Sequence, residues 1–543
     1  MSMEQKQSAA KGQPKFLLEQ AGRVLWGWLR APHRWAAFWA ALLGGFACHM
    51  YVFTNMLPNH DWQHNFYATQ NWISSGRWFL QYACEPSSFA ILPWLTGVLS
   101  VVLLAGTAVL TVDVLDLHRP MLAGAAALMM VCFPAVGSTC TYIYTMDGYM
   151  LALFLSVLAV WCMERWPKKV LGCIPAALCM GFSMGIYQAY GAVMLMLFCF
   201  MLVLKMLRRL PPLKEMFLYA VRMAATAAGG FAVYYLMLQV VMRLTGVELG
   251  GYQGIDNLGS GLSLSPQGLM TLVQMVLNAA YHGYKFLTAD LPALGGVATA
   301  GKLVWLLYGC AALLWCVLAV VRRQWKRWWA IPAQLVLFCL VPVGVNYVQI
   351  ISPEVSFHLV MHYAAVLVFV LSLCLTQEVM EEESLWMGLR QAASVVVPVA
   401  CVVLAFLWAV MTNRGYTNMQ YQYEETYADL VRLADRIEQC EGYTPDMKLW
   451  LSDNEWPVTE DRTLGDLTGL SGMGGMKLFD WLHYRNDFMY LFGLKFEQCS
   501  QEEYRAIRET QEFQEMPNWP ATGSVKVING VMVVKTDHEH VED

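Results

Sequence analysis

Residues 91–112, ILPWLTGVLSVVLLAGTAVLTV, form a run of 22 residues without a charged side chain. Apolar runs of about 17–25 residues are long enough to cross the ~30 Å hydrocarbon core of a bilayer as a helix. Ten comparable runs occur elsewhere, so we predict about eleven transmembrane helices. These ten runs lie near residues 35–56, 121–137, 148–163, 170–187, 190–205, 223–242, 302–321, 328–348, 356–377 and 392–412.

The composition agrees with a multi-pass membrane protein. Of the 543 residues, 57% are hydrophobic and 14% are charged, and the mean hydropathy is +0.41. Soluble domains average roughly 45–50% apolar and 25% charged residues. Nucleic-acid binding is not expected, because the sequence does not combine a basic face with a recognisable binding motif. The residues before the first run lack the pattern of a cleaved signal peptide, so the first span itself is predicted to direct membrane insertion.

The distribution of positive charge orients the predicted spans. Twenty Lys and Arg side chains fall in segments assigned to the cytoplasm, against three or four in the outer loops, and cationic loops stay inside. Residues 1–34 are then cytoplasmic, and residues 35–412 form the transmembrane domain with outer loops 57–90 and 243–301. An odd number of spans places residues 413–543 outside, and this tail carries 12 Lys+Arg and 24 Asp+Glu.

The tail is predicted to be a small extracytoplasmic α/β domain. Residues 423–440 and 502–513 are predicted helices, and the first has apolar side chains at helical spacing. These side chains are Tyr427, Leu430, Leu433 and Ile437. Residues 447–451 form a predicted strand, and residues 525–534 form a predicted hairpin about Asn-Gly.

Cysteine usage leaves two possibilities open in this tail. Cys440 and Cys499 either pair, if the compartment is oxidising, or remain two free thiols. The other thirteen cysteines lie mainly in or beside predicted spans, where a thiol behaves as a small apolar group. No zinc-ligand spacing occurs among them.

Acidic side chains gather at the predicted outer mouth and are essentially absent from the predicted spans. An ion-coupled transporter would need ionisable groups within its spans, so the pattern favours a reaction at the membrane surface. An enzyme there has no nucleotide-activated substrate, and its activated group should arrive on a lipid. A polyprenyl-phosphate sugar meets this requirement, because its phosphate is already a good leaving group.

The first outer loop supplies the groups that such a transfer needs. Asp61 is the predicted base for an acceptor hydroxyl, with His60 beside it. Arg77 is the predicted cation for the phosphate. The rings of Trp62 and Trp78 offer surfaces on which a sugar can stack.

The order of motifs along the chain resembles a known family. Asp61 follows the first span and precedes a Trp-x-x-x-Gly-Arg-Trp element over residues 72–78. Residues 142–149, with Asp147, and residues 183–188, which end in Gln188, come next. Together with a C-terminal element over residues 516–535, they resemble bacterial membrane glucosyltransferases of the Gtr type II family, which modify O-antigen or other surface glycans.

This resemblance implies a GT-C-like, all-α membrane domain, a polyprenyl-phosphate-glucose donor and transfer at the outer face of the bacterial cytoplasmic (inner) membrane. The family often has paired acids after the first span. Because His60 takes the second place here, Asp147 is the predicted second catalytic acid. The expected partners are the lipid-linked donor, a glycan acceptor, the bilayer, and a lipid-carrier synthase and flippase. No cofactor is predicted, the need for a divalent cation stays open, and direct displacement inverts the anomeric centre.

Three further side chains complete the predicted substrate-binding set. Lys285 follows an amphipathic stretch that lies along the outer surface. His358 and His362 are four residues apart, hence on one helical face at the outer end of the tenth span, where they suit a lipid phosphate or ordinary helix packing. Their spacing lacks the intervening Glu of a zinc protease, and no metal site is predicted.

Each site residue also has a structural alternative. Asp61 suits the N-cap of a helix that starts at Trp62, and Arg77 suits an interfacial anchor beside aromatic rings. Asp147 suits a solvated turn, and Gln188 suits a hydrogen-bonded bridge between helices. For the whole chain, a flippase or transporter of lipid-linked sugars and a non-catalytic scaffold for glycan assembly remain alternatives.

Overall fold

A computed structural model of the chain describes residues 19–57, 59, 70–87, 92–166, 169–257, 266–352, 354–452, 464–467, 469–473 and 484–536. Within these ranges, eight helices are long and apolar enough to cross a membrane, and a bent pair makes a ninth. Two shorter apolar helices, Val170–Ile186 and Ala330–Val345, coincide with the remaining predicted spans. The chain is therefore a multi-pass membrane protein, whereas eleven crossings and a GT-C-like arrangement stay predictions.

The principal helices are labelled in chain order. They are α1 (Pro32–Thr54), α2 (Pro93–Val114), α3 (Pro120–Cys132), α4 (Met146–Arg165), α5 (Lys169–Ile186), α6 (Gly191–Arg209), α7 (Leu213–Thr245), α8 (Ala298–Val321), α9 (Ala330–Cys339), α10 (Val366–Glu381) and α11 (Met387–Glu438). Proline occupies the first turn of α1, α2 and α3, where its fixed φ suits a helix and its missing N–H costs no hydrogen bond.

Further helices connect these elements, and all of them except the 20-residue helix Pro266–Lys285 are short. On the side of the candidate site they are Gln70–Ser74, Leu80–Cys84, Glu85–Ser87, Pro134–Cys140, Gln188–Tyr190, Tyr252–Asn257, Pro266–Lys285, Phe286–Asp290, Leu291–Ala293, Leu294–Gly296, Val341–Val345, Val348–Ile351 and Leu359–Ala365. On the opposite side, Gln324–Lys326 joins α8 to α9.

Small residues allow the transmembrane helices to approach closely. α1 packs against α2 and α3, and α5 packs against α4 and α7. A Cβ on Gly230 of α7 would lie 2.5 Å from Cγ of Met180 in α5, so only glycine permits this crossing. Such small-residue contacts are typical of helix pairs in membranes, where the hydrophobic effect does not drive association.

The helices extend past the predicted apolar runs and include ionisable groups near their ends. Asp113 lies in the last turn of α2 and Glu378 in α10, and both carboxylates are buried. Each is paired, Asp113 with Arg34 at 2.5 Å and Glu378 with Arg208 at 2.6 Å. Both carboxylates lie one residue beyond the predicted runs 91–112 and 356–377, so it is the longer observed helices that include them.

α11 is one continuous helix that continues far beyond its apolar segment. The sequence predicted separate helices over 392–412 and 423–440, but the helix is unbroken from Met387 to Glu438. Leu430, Leu433 and Ile437 are buried as predicted, whereas Tyr427 is 44% exposed and lies beside Phe492. The same helix thus serves both the membrane domain and the C-terminal domain.

The C-terminal domain contains a four-stranded sheet of order β2-β1-β4-β3. The strands are β1 (Lys448–Leu451), β2 (Glu497–Gln498), β3 (Val525–Ile528) and β4 (Val531–Val534). β3 and β4 form the predicted antiparallel hairpin, with Asn529 and Gly530 at φ 50° and 77°, as a tight two-residue turn requires. β1 pairs in parallel with both β2 and β4.

Three short helices accompany this sheet. They are α12 (Tyr484–Phe492), α13 (Gln501–Arg508) and α14 (Gln511–Gln514). The single helix predicted over 502–513 is two helices, because Thr510 caps α14 with its side chain at 3.2 Å from the Phe513 nitrogen. Cys440 and Cys499 are both free thiols.

Candidate functional site

A tight turn presents Arg77 from the first outer loop. It joins the helices Gln70–Ser74 and Leu80–Cys84, and the Arg77 nitrogen donates to the Trp72 carbonyl at 2.8 Å. Gly76 has a φ of 74°, which favours glycine. A Cβ there would lie 2.7 Å from both Nε2 of Gln188 and Oη of Tyr234, so the turn also needs glycine for space.

Gln188 fixes this turn to the transmembrane helices. Its Nε2 donates to the Ser75 carbonyl at 2.8 Å and to Oη of Tyr234 at 3.2 Å. The Tyr347 hydroxyl donates to its backbone carbonyl. Gln188 is buried, and these contacts match the bridging alternative. Gln188 therefore positions the turn that carries Arg77.

Two tyrosines orient the Arg77 side chain. Its Nη1 donates to Oη of Tyr149 at 3.3 Å, and its guanidinium carbon lies 5.1 Å from the Tyr187 ring centroid. The Tyr149 and Tyr187 rings are themselves 4.9 Å apart. The half-buried guanidinium is therefore supported by aromatic faces, a favourable setting for a cation.

A cavity opens beside Arg77. It contains about 420 Å³ of empty space, part of it open to solvent. Its polar wall includes Ser75, Arg77 and Gln188. The rest of the lining is mainly apolar and consists of Ile255, Val348, Ile351, Val355 and Met361, together with Tyr187, Ala189 and Ser352. One cation next to an apolar wall can receive a ligand that has an anionic group and a hydrocarbon part.

Trp78 is a packing residue of this loop. Its ring is 3% exposed and lies 5.4 Å from the Phe182 ring. A Cβ on Gly185 would lie 2.6 Å from the Trp78 indole. Trp78 thus holds the loop against α5 in this structure, and stacking on a sugar stays a prediction.

Asp147 lies in the first turn of α4 and is 5% exposed. Its Oδ1 accepts from the Gly148 nitrogen at 3.0 Å. The segment packs against the first outer loop, because a Cβ on Gly148 would lie 2.8 Å from Sγ of Cys84. Burial and the Asp147 carboxylate raise the pKa of the Cys84 thiol well above its usual value, so this thiol stays neutral and is no nucleophile. The solvated-turn alternative for Asp147 does not fit this burial.

Asp61, His60 and Trp62 lie outside the described residues. The nearest described position is Asn59, which is buried and donates to Oγ1 of Thr141 at 3.3 Å. Thr141 precedes Tyr142, whose ring lies 6.3 Å from the Tyr149 ring. The chain therefore begins its first outer loop next to the aromatic cluster that supports Arg77.

Part of the C-terminal region also packs into this area. Leu467, Leu470 and Met473 belong to the core of the membrane domain. Asn418 donates to the Met473 carbonyl at 2.8 Å, and the Leu359 nitrogen donates to Oγ of Ser471 at 3.0 Å. We call residues 464–467 and 469–473 the inserted segment. It contacts both Thr141 and the segment before α10.

The two histidines do not share a helical face. His358 is exposed and extended, and it precedes the helix Leu359–Ala365. His362 is 3% exposed and stacks on Phe286 at a centroid distance of 4.1 Å. The prediction from their spacing is wrong because the helix starts after His358. Lys285 ends the helix Pro266–Lys285 and is exposed.

Four tyrosines of the site were not predicted as site residues. They are Tyr149, Tyr187, Tyr234 and Tyr347. The first two lie in the sequence motifs over 142–149 and near 183–188, which was the available signal. Tyr234 and Tyr347 lie in apolar runs that offer none. The described residues contain no group of three or more His, Cys, Asp or Glu side chains that could hold a metal.

The sequence was compared with known proteins. The family model described as Glucosyl transferase GtrII matches residues 50–369, more than half of the chain. The match includes the Arg77 turn, Asp147, Gln188 and the apolar wall of the cavity, and it ends before α11 and the C-terminal domain. Searches of curated proteins and of solved structures gave no match.

Proposed function

Because this chain belongs to the GtrII glucosyl transferase family, we propose that it moves glucose from a polyprenyl-phosphate donor to a cell-surface glycan at the outer face of the bacterial cytoplasmic membrane. Family membership supports glucosyl transfer, and the membrane helices support a donor that resides in the bilayer. The finer parts of the proposal depend on the contacts of the first outer loop.

The setting of Arg77 carries the proposal. A polyprenyl phosphate has an anionic phosphate joined directly to an isoprenoid chain. Arg77 offers a cation oriented by Tyr149 and Tyr187, and the same cavity has an apolar wall. A fixed guanidinium stabilises the charge on a leaving phosphate, while the apolar wall can bury the first isoprene unit.

In the proposed reaction, Asp61 is the general base. The acceptor hydroxyl oxygen attacks the anomeric carbon as the bond from that carbon to the phosphate oxygen breaks. The hydroxyl proton passes to the Asp61 carboxylate, and polyprenyl phosphate leaves with its charge at Arg77. A single displacement of this kind inverts the anomeric centre. The contact between Asn59 and Thr141 supports this role, because it anchors the chain two residues before Asp61.

The other predicted site residues take supporting roles in this proposal. Asp147 is the second acid and keeps the Tyr149 segment against the loop, and Gln188 positions the Arg77 turn. His60 and Trp62 contact the sugar next to the base. The exposed Lys285 and His358 contact donor phosphate at the rim, while the buried Trp78 and His362 support the loop and the cavity wall.

Substitution of Arg77 tests the phosphate assignment. In proteoliposomes supplied with polyprenyl-phosphate [¹⁴C]glucose, Arg77→Gln should lower kcat/KM for the donor by about 10²-fold or more, the usual effect of removing one charge-stabilising donor. Arg77→Lys should restore part of the rate, since it keeps the charge and loses the planar fork.

Arg243→Gln is the matched control. Arg243 is an exposed cation near the outer end of α7, and its loss should leave kcat/KM within about twofold, because exposed charges away from a site contribute little. Equal rates for Arg77→Gln and the wild-type protein would contradict the phosphate assignment.

A further inference from the structure

A second cavity lies at the helix ends opposite the candidate site. α2, α4 and α6 start near that site and end at Val114, Arg165 and Arg209. Between these ends the chain contains about 760 Å³ of empty space, part of it open to solvent. In the predicted topology this face is cytoplasmic.

Positive charge dominates the lining of this cavity. Its cations are Arg165, Lys205, Arg208 and Arg209. Its two acids, Asp116 and Glu164, already have cationic partners. Asp116 contacts Arg165 at 2.5 Å, and Glu164 contacts Arg222 at 2.8 Å. The lining therefore has two more cations than acids, and its carboxylates are neutralised.

The four cations differ in how firmly they are held. Arg165 contacts Asp113 at 3.3 Å in addition to Asp116. Arg208 is fixed by Glu378 at 2.6 Å and by the Leu115 carbonyl at 2.9 Å. Lys205 lies 3.9 Å from the Tyr219 ring centroid and 3.6 Å from a carboxylate oxygen of Glu215, which is 56% exposed. Arg209 is exposed. Lys205 and Arg209 can thus turn toward an anion without breaking a buried ion pair.

Exposed apolar side chains lie on α7, the helix that contributes Tyr219 to the cavity. Phe217, Leu218 and Val221 of α7 are 64%, 56% and 46% exposed. They flank Tyr219, which lines the cavity, and on a membrane helix such side chains face lipid tails. A ligand that has an anionic head and hydrocarbon chains would match both surfaces at once.

We propose that this cavity binds the phosphate headgroup of an anionic phospholipid, with the acyl chains along the exposed face of α7. Basic pockets between the ends of transmembrane helices on the cytoplasmic side attract such headgroups. The bound phosphate would join the ends of α4, α6 and α7. The proposal uses no residue of the candidate site and does not depend on the proposed function.

The dependence of thermal stability on added lipid tests this proposal. The full-length protein is purified in neutral detergent and titrated with phosphatidylglycerol, phosphatidylcholine or inorganic phosphate. We expect phosphatidylglycerol to raise Tm in a saturable manner, and the other two to give no comparable rise. Lys205→Gln combined with Arg209→Gln should raise the half-saturating phosphatidylglycerol concentration at least about tenfold, since each cation near an anionic lipid contributes on the order of a fivefold effect.

Two variants keep the result interpretable. Arg209→Gln alone changes an exposed side chain and should give an intermediate shift even if the double variant folds poorly. Arg243→Gln combined with Lys302→Gln removes two exposed cations near the other face and should leave the titration unchanged. The proposal is overturned if phosphatidylglycerol gives no rise above phosphatidylcholine, if inorganic phosphate reproduces the rise, or if both Arg209 variants titrate like the wild-type protein.

Discussion

Gly76 is the residue on which the geometry of Arg77 depends most directly. Its φ of 74° and its distance from Gln188 and Tyr234 exclude a side chain. Gly76→Ala should therefore shift the turn and lower the glucosyl transfer rate by at least about tenfold, because small displacements of a positioning group reduce rates strongly. The rate of glucose transfer from the polyprenyl-phosphate donor measures this loss.

Gly246 provides a control for backbone strain alone. It has a similar φ of 72°, and a Cβ there would meet nothing within 4 Å. In both alanine variants the left-handed conformation costs about 1–2 kcal/mol, but Gly246→Ala should retain normal transfer. If the two variants lost activity equally, the contact between Gly76, Gln188 and Tyr234 would have no special role.

The sequence predicted the charged residue of this turn but not its partners. Arg77 was singled out as the one cation of its loop. Its contact with Tyr149 spans 72 positions, and the bond from Gln188 to Ser75 spans 113. Contacts between side chains so distant along the chain depend on how the helices pack, and no local pattern specifies that.

Among the elements, α13 is stabilised by a capping arrangement that predicts a pH dependence. Lys448 donates to Glu503 at 2.5 Å, and Glu503 accepts from the Ser500 nitrogen at 2.8 Å. The Lys448 contact, followed by those from Ser500, lowers the pKa of Glu503 to about 2. The carboxylate therefore stabilises the fold above its usual pKa of about 4.3, and this contribution disappears as the pH falls toward about 2.

Glu503→Gln should consequently lower the Tm of the C-terminal domain at pH 7, and its difference from the wild-type protein should shrink at pH 3. Thermal unfolding of the full-length chain at the two pH values measures this. Glu502→Gln, in the same first turn but exposed, should have little effect at either pH. A pH-independent difference for Glu503→Gln would show that its charge does not stabilise the domain.

The sequence predicted most helix positions, but it did not predict where a helix breaks or where two predicted helices are continuous. Each predicted apolar run is helical, because a chain in lipid satisfies its backbone groups within a helix, but the runs over 121–137, 328–348 and 356–377 are each broken into shorter helices. The continuity of α11 and the inserted segment were missed. The inserted segment is short, and its apolar residues are separated by glycine and polar residues, so the sequence gives no signal of burial, yet Leu470 and Met473 are buried in the membrane domain.

The described part of the molecule is a helical bundle with the candidate site at one end and the second cavity at the other. The family match ends at residue 369, but the inserted segment returns the chain to the membrane domain through the contact between the Leu359 nitrogen and Oγ of Ser471. The C-terminal region is therefore attached to the membrane domain at a second place besides α11. The opposite face has paired Arg and acidic side chains at the helix ends.

If the first outer loop performs glucosyl transfer with Asp61 as its base, Asp61→Asn removes the group on which the reaction depends. Asn keeps the shape and removes the proton acceptor, so transfer from polyprenyl-phosphate [¹⁴C]glucose to the glycan should fall by about 10²–10⁴-fold, while binding of the lipid donor persists. Near-normal transfer by Asp61→Asn in the same proteoliposomes would contradict the assignment of Asp61 as the base.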